Sequence, residues 1–308
     1  MKLSVALCTY NGKQFIEEQI SSILNQTHKV DEIVVCDDCS TDGTVDAVRH
    51  IAKCNLNINI RVLVNDKNIG VRANFEKAVH ECYGDIIFLS DQDDVWKPNK
   101  VETIVDWFRK NPDKSVVFTD ANLIDSDGKL LDATDTLWCH VGFSPKIQKQ
   151  FDNGYSFEIV ANRYRCTGAT MALRKDFVFD FSNYCRSGIY LDATIALVAS
   201  LHNKLGYIPA KLIDYRIHEK QNAGINIEKE IYADKYQIHS IGKQFLNIEM
   251  TTKERKRLDF FMLRSDIPKK AIIRFGSYLC VYGFDAFSFW WSDFKRLASQ
   301  VLKLSENK

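Results

Sequence analysis

The sequence predicts an α/β fold with a mostly parallel central sheet and a helical C-terminal extension. Three observations carry this. Apolar runs of strand length alternate with amphipathic stretches of helical period through the first 120 residues. The apolar runs are continuous rather than alternating, as in strands covered on both faces. Polar, aspartate-rich segments follow three of those runs, where open parallel sheets bind their ligands.

The first strand is "LSVALC" (3–8), and "FIEEQISSILNQ" follows with Phe15, Ile16, Ile20, Ile23 and Leu24 on one helical face. "EIVVC" (32–36) is the second strand, and "STDGTVDAVRHIA" opens the second helix. "IRVLV" (60–64) is the third, leading through "NDKNIG" to a helix carrying Phe75, Ala78, Val79 and Cys82. "DIIFLS" (85–90) is the fourth, followed by an acidic turn and a helix containing Val101, Ile104, Val105 and Phe108. The polar ends are "CTYNG" after the first strand, "CDDCSTDGT" after the second and "SDQDDVW" after the fourth.

Beyond residue 120 the pattern changes. "DANLIDSDGKLL" reads as a hairpin turning at Asp127 and Gly128. "RCTGATMALR" is strand-like, "LDATIALVASLHNKLG" is an apolar helix with a glycine stop, and "IPAKLIDYRIHEKQNAGI" is a last strand running into a polar loop. The expected division is a main domain over 1–225, with halves 1–120 and 121–225, and a helical region over 226–308. Within the latter, the apolar stretch 271–291 contains Arg274 and Asp285, which argues against a membrane span. Its aromatic and basic residues suit either a helix at a lipid headgroup surface or a packed helical hairpin.

Composition narrows the function classes. With 41 basic and 40 acidic residues, the net charge of +1 supplies no general attraction to nucleic acid. Nine scattered cysteines and the absence of an apolar leader at the start of the sequence suit a reducing cytoplasm. Cys36 and Cys39 form a C-x-x-C, but Asp37 and Asp38 lie between them, and negative charge raises a thiol pKa where a redox cysteine needs it lowered. No second C-x-x-C faces it to complete a zinc site.

The stretch "FLSDQDDVWKP" (88–98) is the sharpest local signal, with Asp91, Asp93 and Asp94 crowded within four residues. Two like charges 4 Å apart repel by about 4 kcal/mol at an effective dielectric of about 20, so a cation or a shared proton must relieve the crowding. The plain alternative is a solvated turn leading into a helix, with Pro98 in its first turn and acidic charge on its dipole.

Taken in order, "CTYNG", "CDDCSTDGT", "NIGVRANF", "FLSDQDDVW", "TGATM", "YLDA" and "YRIHEKQN" resemble family 2 of the inverting glycosyltransferases over residues 1–225, especially its bacterial rhamnosyltransferase-like members. The resemblance implies the Rossmann-like A-type glycosyltransferase fold. It also implies a nucleotide-diphosphate-sugar donor, a glycan or lipid-linked saccharide acceptor, and Mn2+ or Mg2+ as cofactor. Donor binding falls by resemblance to Thr9, Tyr10, Asn11, Asp38, Arg72 and Asp91. Asp38 would accept the imide N–H of uracil or thymine, although "STDGT" beside it also reads as a helix-capping loop. The acidic turn resembles the family's D-x-D element, with Asp93 the leading ligand and Asp91, Asp94 and His218 around it. Asp192 resembles the catalytic base, although close relatives place His-Asp and then aromatic residues where this chain has Leu191, Asp192 and Ala193; a plain N-cap is the competing reading. Gly168, Thr170, Trp96 and Arg216 would line the donor and acceptor pocket. His28, His50, His80, His140, His202 and His239 receive no role.

The expected reaction moves a sugar, with L-rhamnose a candidate, from a dTDP or UDP donor to a bacterial surface polysaccharide precursor. The expected place is the cytoplasm, with docking at the inner membrane face, and an oligomer is compatible with the sequence. Two other classes stay in view: a sugar-phosphate nucleotidylyltransferase, which normally has a glycine-rich basic loop where "CTYNGKQF" stands, and a non-catalytic nucleotide-sugar or glycan-binding module.

Overall fold

A computed structural model describes residues 1–178, 190–219 and 221. The chain divides into two units, Met1–Tyr232 and Ala233–Lys308, and the second lies outside the described residues, as does the membrane-docking helix expected there. Among the described residues no helix is long and apolar enough to cross a membrane.

The first half forms as its periodicity dictates. Strands β1 (Leu3–Thr9), β2 (Glu32–Asp37), β3 (Asn59–Val64) and β4 (Ile86–Ser90) alternate with helices α1 (Ile16–Leu24), α2 (Thr44–Cys54) and α3 (Val71–Glu81). β1, β2 and β4 are buried at every position, as continuous apolar runs require, while β3 is half-buried at the sheet edge. α1 seats Ile16, Ile20 and Ile23 against the sheet at the i, i+4, i+7 spacing of one face. α2 starts after Gly43, which holds a φ of 91° that side chains disfavour, and Asp42 accepts the Thr44 N–H at 3.0 Å.

The remaining elements are β5 (Val95–Trp96), α4 (Lys100–Lys110), β6 (Val116–Ile124), α5 (Leu137–Val141), α6 (Pro145–Gln150), α7 (Ser156–Asn162), β7 (Ala172–Arg174), α8 (Leu191–Leu201) and β8 (Leu205–Arg216). All eight strands join one sheet in the order β3-β2-β1-β4-β7-β6-β8-β5. The pairs β1/β2, β2/β3, β1/β4 and β6/β8 are parallel, whereas β7 runs antiparallel to both β4 and β6, and β5 antiparallel to β8. Because β1 lies between β2 and β4, the three polar strand ends become neighbours at one edge of the sheet.

Three expectations change in the second half. The strand expected over "RCTGATMALR" opens as a tight 3-10 turn at Gly168–Thr170, where the Met171 N–H reaches the Gly168 carbonyl at 2.8 Å, and only Ala172–Arg174 pair as β7. The hairpin turn at Asp127 and Gly128 forms, with Asp125 accepting the Lys129 N–H at 2.9 Å, but its return is a single bridge between Ile124 and Leu130. Finally, α8 stops at Asn203, in the left-handed region at φ 56°, and not at Gly206, which lies inside β8. Gly206 is there for space: a Cβ would stand 2.4 Å from the Trp107 ring on α4.

Gly206→Ala is therefore expected to destabilise the fold by about 1–3 kcal/mol through overpacking. A shift of the denaturant midpoint to lower concentration, recovered in Gly206→Ala/Trp107→Leu, checks it; an unchanged midpoint contradicts it.

Candidate active site

The ends of β1 and β2 are knitted by side chains that satisfy loop backbone. Asp37 accepts the Thr9 hydroxyl at 2.6 Å, the Ser40 N–H at 2.8 Å and the Ser40 hydroxyl at 2.6 Å. Asn11, at φ 48°, donates its N–H to the Ser40 hydroxyl and accepts the Thr41 N–H. Asp38 is 3% exposed and holds the β3–α3 loop, with Oδ1 accepting Asn65 Nδ2 at 2.9 Å and the Ile69 N–H at 2.8 Å, and Oδ2 accepting the Gly70 N–H at 2.9 Å. Arg72 follows, half-buried, in the first turn of α3. The β1 and β4 ends are tied by Gln92, whose side-chain amide exchanges two hydrogen bonds with the Tyr10 backbone at 2.8 and 3.1 Å. Gly12 leaves the room that this amide fills.

The acidic turn after β4 is fastened from the far end of the domain. Arg216, the last residue of β8, is 1% exposed. Its N–H donates to Asp94 Oδ1 at 3.0 Å, and Nε donates to the Asp93 carbonyl at 2.7 Å. Nη1 reaches the carbonyls of Asp125 and Ser126 at 3.1 Å, and Nη2 reaches Glu18 on α1 at 2.6 Å. The guanidinium lies 4.8 Å from the Phe15 ring centre, on which the His218 ring also packs. His218 Nε2 stands 2.9 Å from Asp93 Oδ2.

These contacts sort the candidate residues. Asp93 and His218 form a carboxylate–imidazole pair able to ligate a divalent ion through oxygen and nitrogen. Among the described residues no group of three His, Cys, Asp or Glu side chains is arranged to hold an ion. Asp94 Oδ1 accepts the Arg216 N–H, and its Oδ2 is buried with no hydrogen-bond partner among the described residues. Every nitrogen of the Arg216 side chain has a contact within the fold. Thr9, Trp96 and Thr170 are buried. Cys36 is buried, and burial pushes its thiol up to about 11.

Burial, then the charges of Asp93 and Asp192, hold the Asp91 carboxyl well above the usual carboxylate range. Burial does the same to Asp94, with Asp93 and Asp91 adding to it. A buried cation answers them: Lys100 donates to the Ala169 carbonyl at 2.9 Å and sits 3.8 Å over the Trp96 ring. Burial pushes Lys100 down to about 7 against the opposing pull of Asp94 and Asp91.

Asp192, in the first turn of α8, completes the arrangement. Its Oδ2 accepts the Gly168 N–H at 2.8 Å and the Tyr164 hydroxyl, and its Oδ1 accepts the Ala193 N–H at 2.7 Å. A Cβ at Gly168 would stand 3.1 Å from Oδ2, so the glycine permits the close approach. Burial raises the Asp192 pKa, and these hydrogen bonds oppose the rise. Gln92, Lys100, Glu18 and Tyr164 escaped sequence reasoning; only Gln92 stands inside one of the quoted motifs.

Arg216→Met should cost about 3 kcal/mol, because the Asp93, Asp125 and Ser126 carbonyls lose a buried donor. Chemical denaturation of the purified variant checks this, and a midpoint equal to that of the wild type contradicts it.

Residues 4–172 match the family model described as Glycosyl transferase family 2. The chain is 33% identical over 130 residues to a Bacillus subtilis (strain 168) protein named as a teichuronic acid biosynthesis glycosyltransferase, TuaG, covering 42% of this chain and only 50% of that protein. It is 30% identical over 234 residues to the dTDP-rhamnosyl transferase RfbG of Shigella flexneri, covering 72% of this chain and 74% of RfbG. Among solved structures it resembles S. aureus TarS 1-349 in complex with UDP-GlcNAc, with a TM-score of 0.59, 17% identity, and 86% of this chain and 72% of that one covered. It also resembles the mannosyltransferase PcManGT from Pyrobaculum calidifontis in complex with GDP-Man and Mn2+, with a TM-score of 0.54, 14% identity, and 99% and 79% covered. At these identities the structural likeness shows a shared α/β fold. The family model and the RfbG match together place this chain in glycosyl transferase family 2.

Proposed function

We propose that the chain is a metal-dependent, inverting transferase that moves a sugar from a dTDP- or UDP-sugar to a hydroxyl of a bacterial surface polysaccharide precursor. The observation that carries this reading is that Asp192 and the acidic turn, far apart in sequence, lie near enough for the charge of Asp192 to raise the Asp91 pKa. One site thus combines acidic groups suited to a diphosphate-bound cation with a carboxylate suited to deprotonating an alcohol. The names of RfbG and TuaG support a dTDP-rhamnose-like donor and a surface glycan, and Mn2+ in the PcManGT complex supports a divalent cofactor.

Asp38 presents a fixed carboxylate that would accept the imide N–H of uracil or thymine, which cytosine lacks. Tyr10, 37% exposed at the neighbouring strand end, offers a ring to the base or ribose. Asp93 and His218, with Asp91 beside them, would hold Mn2+ or Mg2+, and substrate phosphates would complete the coordination; when bound, the ion supplies a Lewis acid for the diphosphate. Asp192 takes the acceptor hydroxyl proton as that oxygen attacks the anomeric carbon. The bond from that carbon to the diphosphate oxygen breaks, its electron pair leaves with the nucleotide, and the configuration inverts in one displacement. A lipid-linked acceptor would bring this cytoplasmic enzyme to the inner face of the membrane.

Asp192→Asn is expected to keep nucleotide binding and lower kcat by about 10²–10⁴-fold. Wild-type kcat should fall as pH drops through a value above the ordinary carboxylate range, because burial raises the Asp192 pKa and only the ionised form accepts a proton. A radiolabelled-sugar transfer assay with dTDP- and UDP-sugars reads both effects, and near-wild-type transfer by Asp192→Asn would reject it as the base.

A further inference from the structure

We propose that Tyr164 is a positioning residue that fixes the Asp192 carboxylate so that Oδ1, and not Oδ2, receives the acceptor proton. This rests on the reading of Asp192 as the base. Oδ2 already accepts the Tyr164 hydroxyl and the Gly168 N–H, which together use both lone pairs of that oxygen. Oδ1 accepts the N–H of the adjoining Ala193, the carboxylate also feels its own backbone N–H, and among the described residues no side chain donates to Oδ1. One lone pair of Oδ1 is left for the acceptor. In the transfer step the acceptor O–H bond breaks, an Oδ1–H bond forms and Tyr164 keeps its own proton.

The tyrosine is held by what its neighbours do. Arg163 has extended backbone, so successive side chains in this segment point to opposite sides. Arg163 donates to the His140 carbonyl, and Arg165 donates to the carbonyls of Val141 and Gly142, which anchors both to the end of α5. Tyr164 and Cys166 face Asp192 instead. Burial and the neighbouring carboxylate raise the Tyr164 pKa well above its ordinary value, so the hydroxyl stays a donor at working pH. Among the described residues, Asp91 from the turn after β4 and Tyr215 from β8 also feel the Asp192 charge. A donor to a carboxylate favours its charged form, so losing it should let Asp192 protonate at higher pH.

The test uses the full chain with 13C-carboxyl-labelled aspartate, the Asp192 resonance being assigned by its absence in Asp192→Asn. Tyr164→Phe should raise the Asp192 titration midpoint and lower kcat about tenfold with donor KM unchanged, the portion of a general-base effect that orientation supplies. Site-specific 3-fluorotyrosine at position 164, which keeps the hydroxyl and strengthens it as a donor, should move the midpoint down and covers the case in which Tyr164→Phe misfolds. An unchanged midpoint in a folded variant, or a raised midpoint with unchanged kcat, overturns the positioning role. If Asp192→Asn loses transfer while Tyr164→Phe behaves as wild type, only this inference falls; if Asp192→Asn retains transfer, the base assignment falls with it.

Discussion

The guanidinium of Arg216 is buried where α1, the acidic turn and the turn after β6 meet, and the site depends on it. Its donors satisfy the carbonyls of Asp93, Asp125 and Ser126, and its charge is answered by Glu18. An arginine rather than a lysine is required, since only a planar fork reaches several fixed acceptors at once. With the same residue donating its N–H to Asp94, the last strand sets the conformation of a turn formed more than one hundred residues earlier. His218 follows two residues later, so that strand also delivers the imidazole to Asp93.

The cost of crowding three carboxylates is met by giving each a different environment. Asp94 turns inward to an N–H, Asp93 faces His218, and Asp91 stays part-buried near Asp192 with a raised pKa. Lys100 lies buried beneath the turn and donates to the carbonyl of Ala169, the residue after Gly168, whose N–H Asp192 accepts. One aspartate of the turn thus holds the backbone of the last strand, while the other two face His218 and the Asp192 side.

The sequence shows the first half of this fold plainly, because strands buried on both faces read as unbroken apolar runs and helices such as α1 carry one clear face. It also marks the polar ends of β1, β2 and β4, which the sheet order makes neighbours. Side-chain direction is less legible. Nothing in "DQDD" says that Asp94 points inward and Asp93 outward, because β8 decides it. The inward turn of Thr9 is set by its bond to Asp37, and Trp96 is buried against Phe88 beneath Lys100. Tyr164 belongs to no motif; its role is visible only once two arginines are seen to anchor the strand-like segment around it. The misplaced stop of α8 has a similar cause, as Gly206 answers the Trp107 ring and not the helix end.

On the proposed function, the turn fastened by Arg216 would present Asp93 and its neighbours to a cation and a nucleotide diphosphate. Calorimetric titration of dTDP, UDP, GDP and CDP, with and without Mn2+, on the wild type and on Asp93→Ala tests it most directly. The account predicts Mn2+-dependent binding of dTDP or UDP that is lost in Asp93→Ala. Equal indifference to all four nucleotides with or without the ion, or binding that survives in Asp93→Ala, would contradict it and return the acidic turn to a solvated loop.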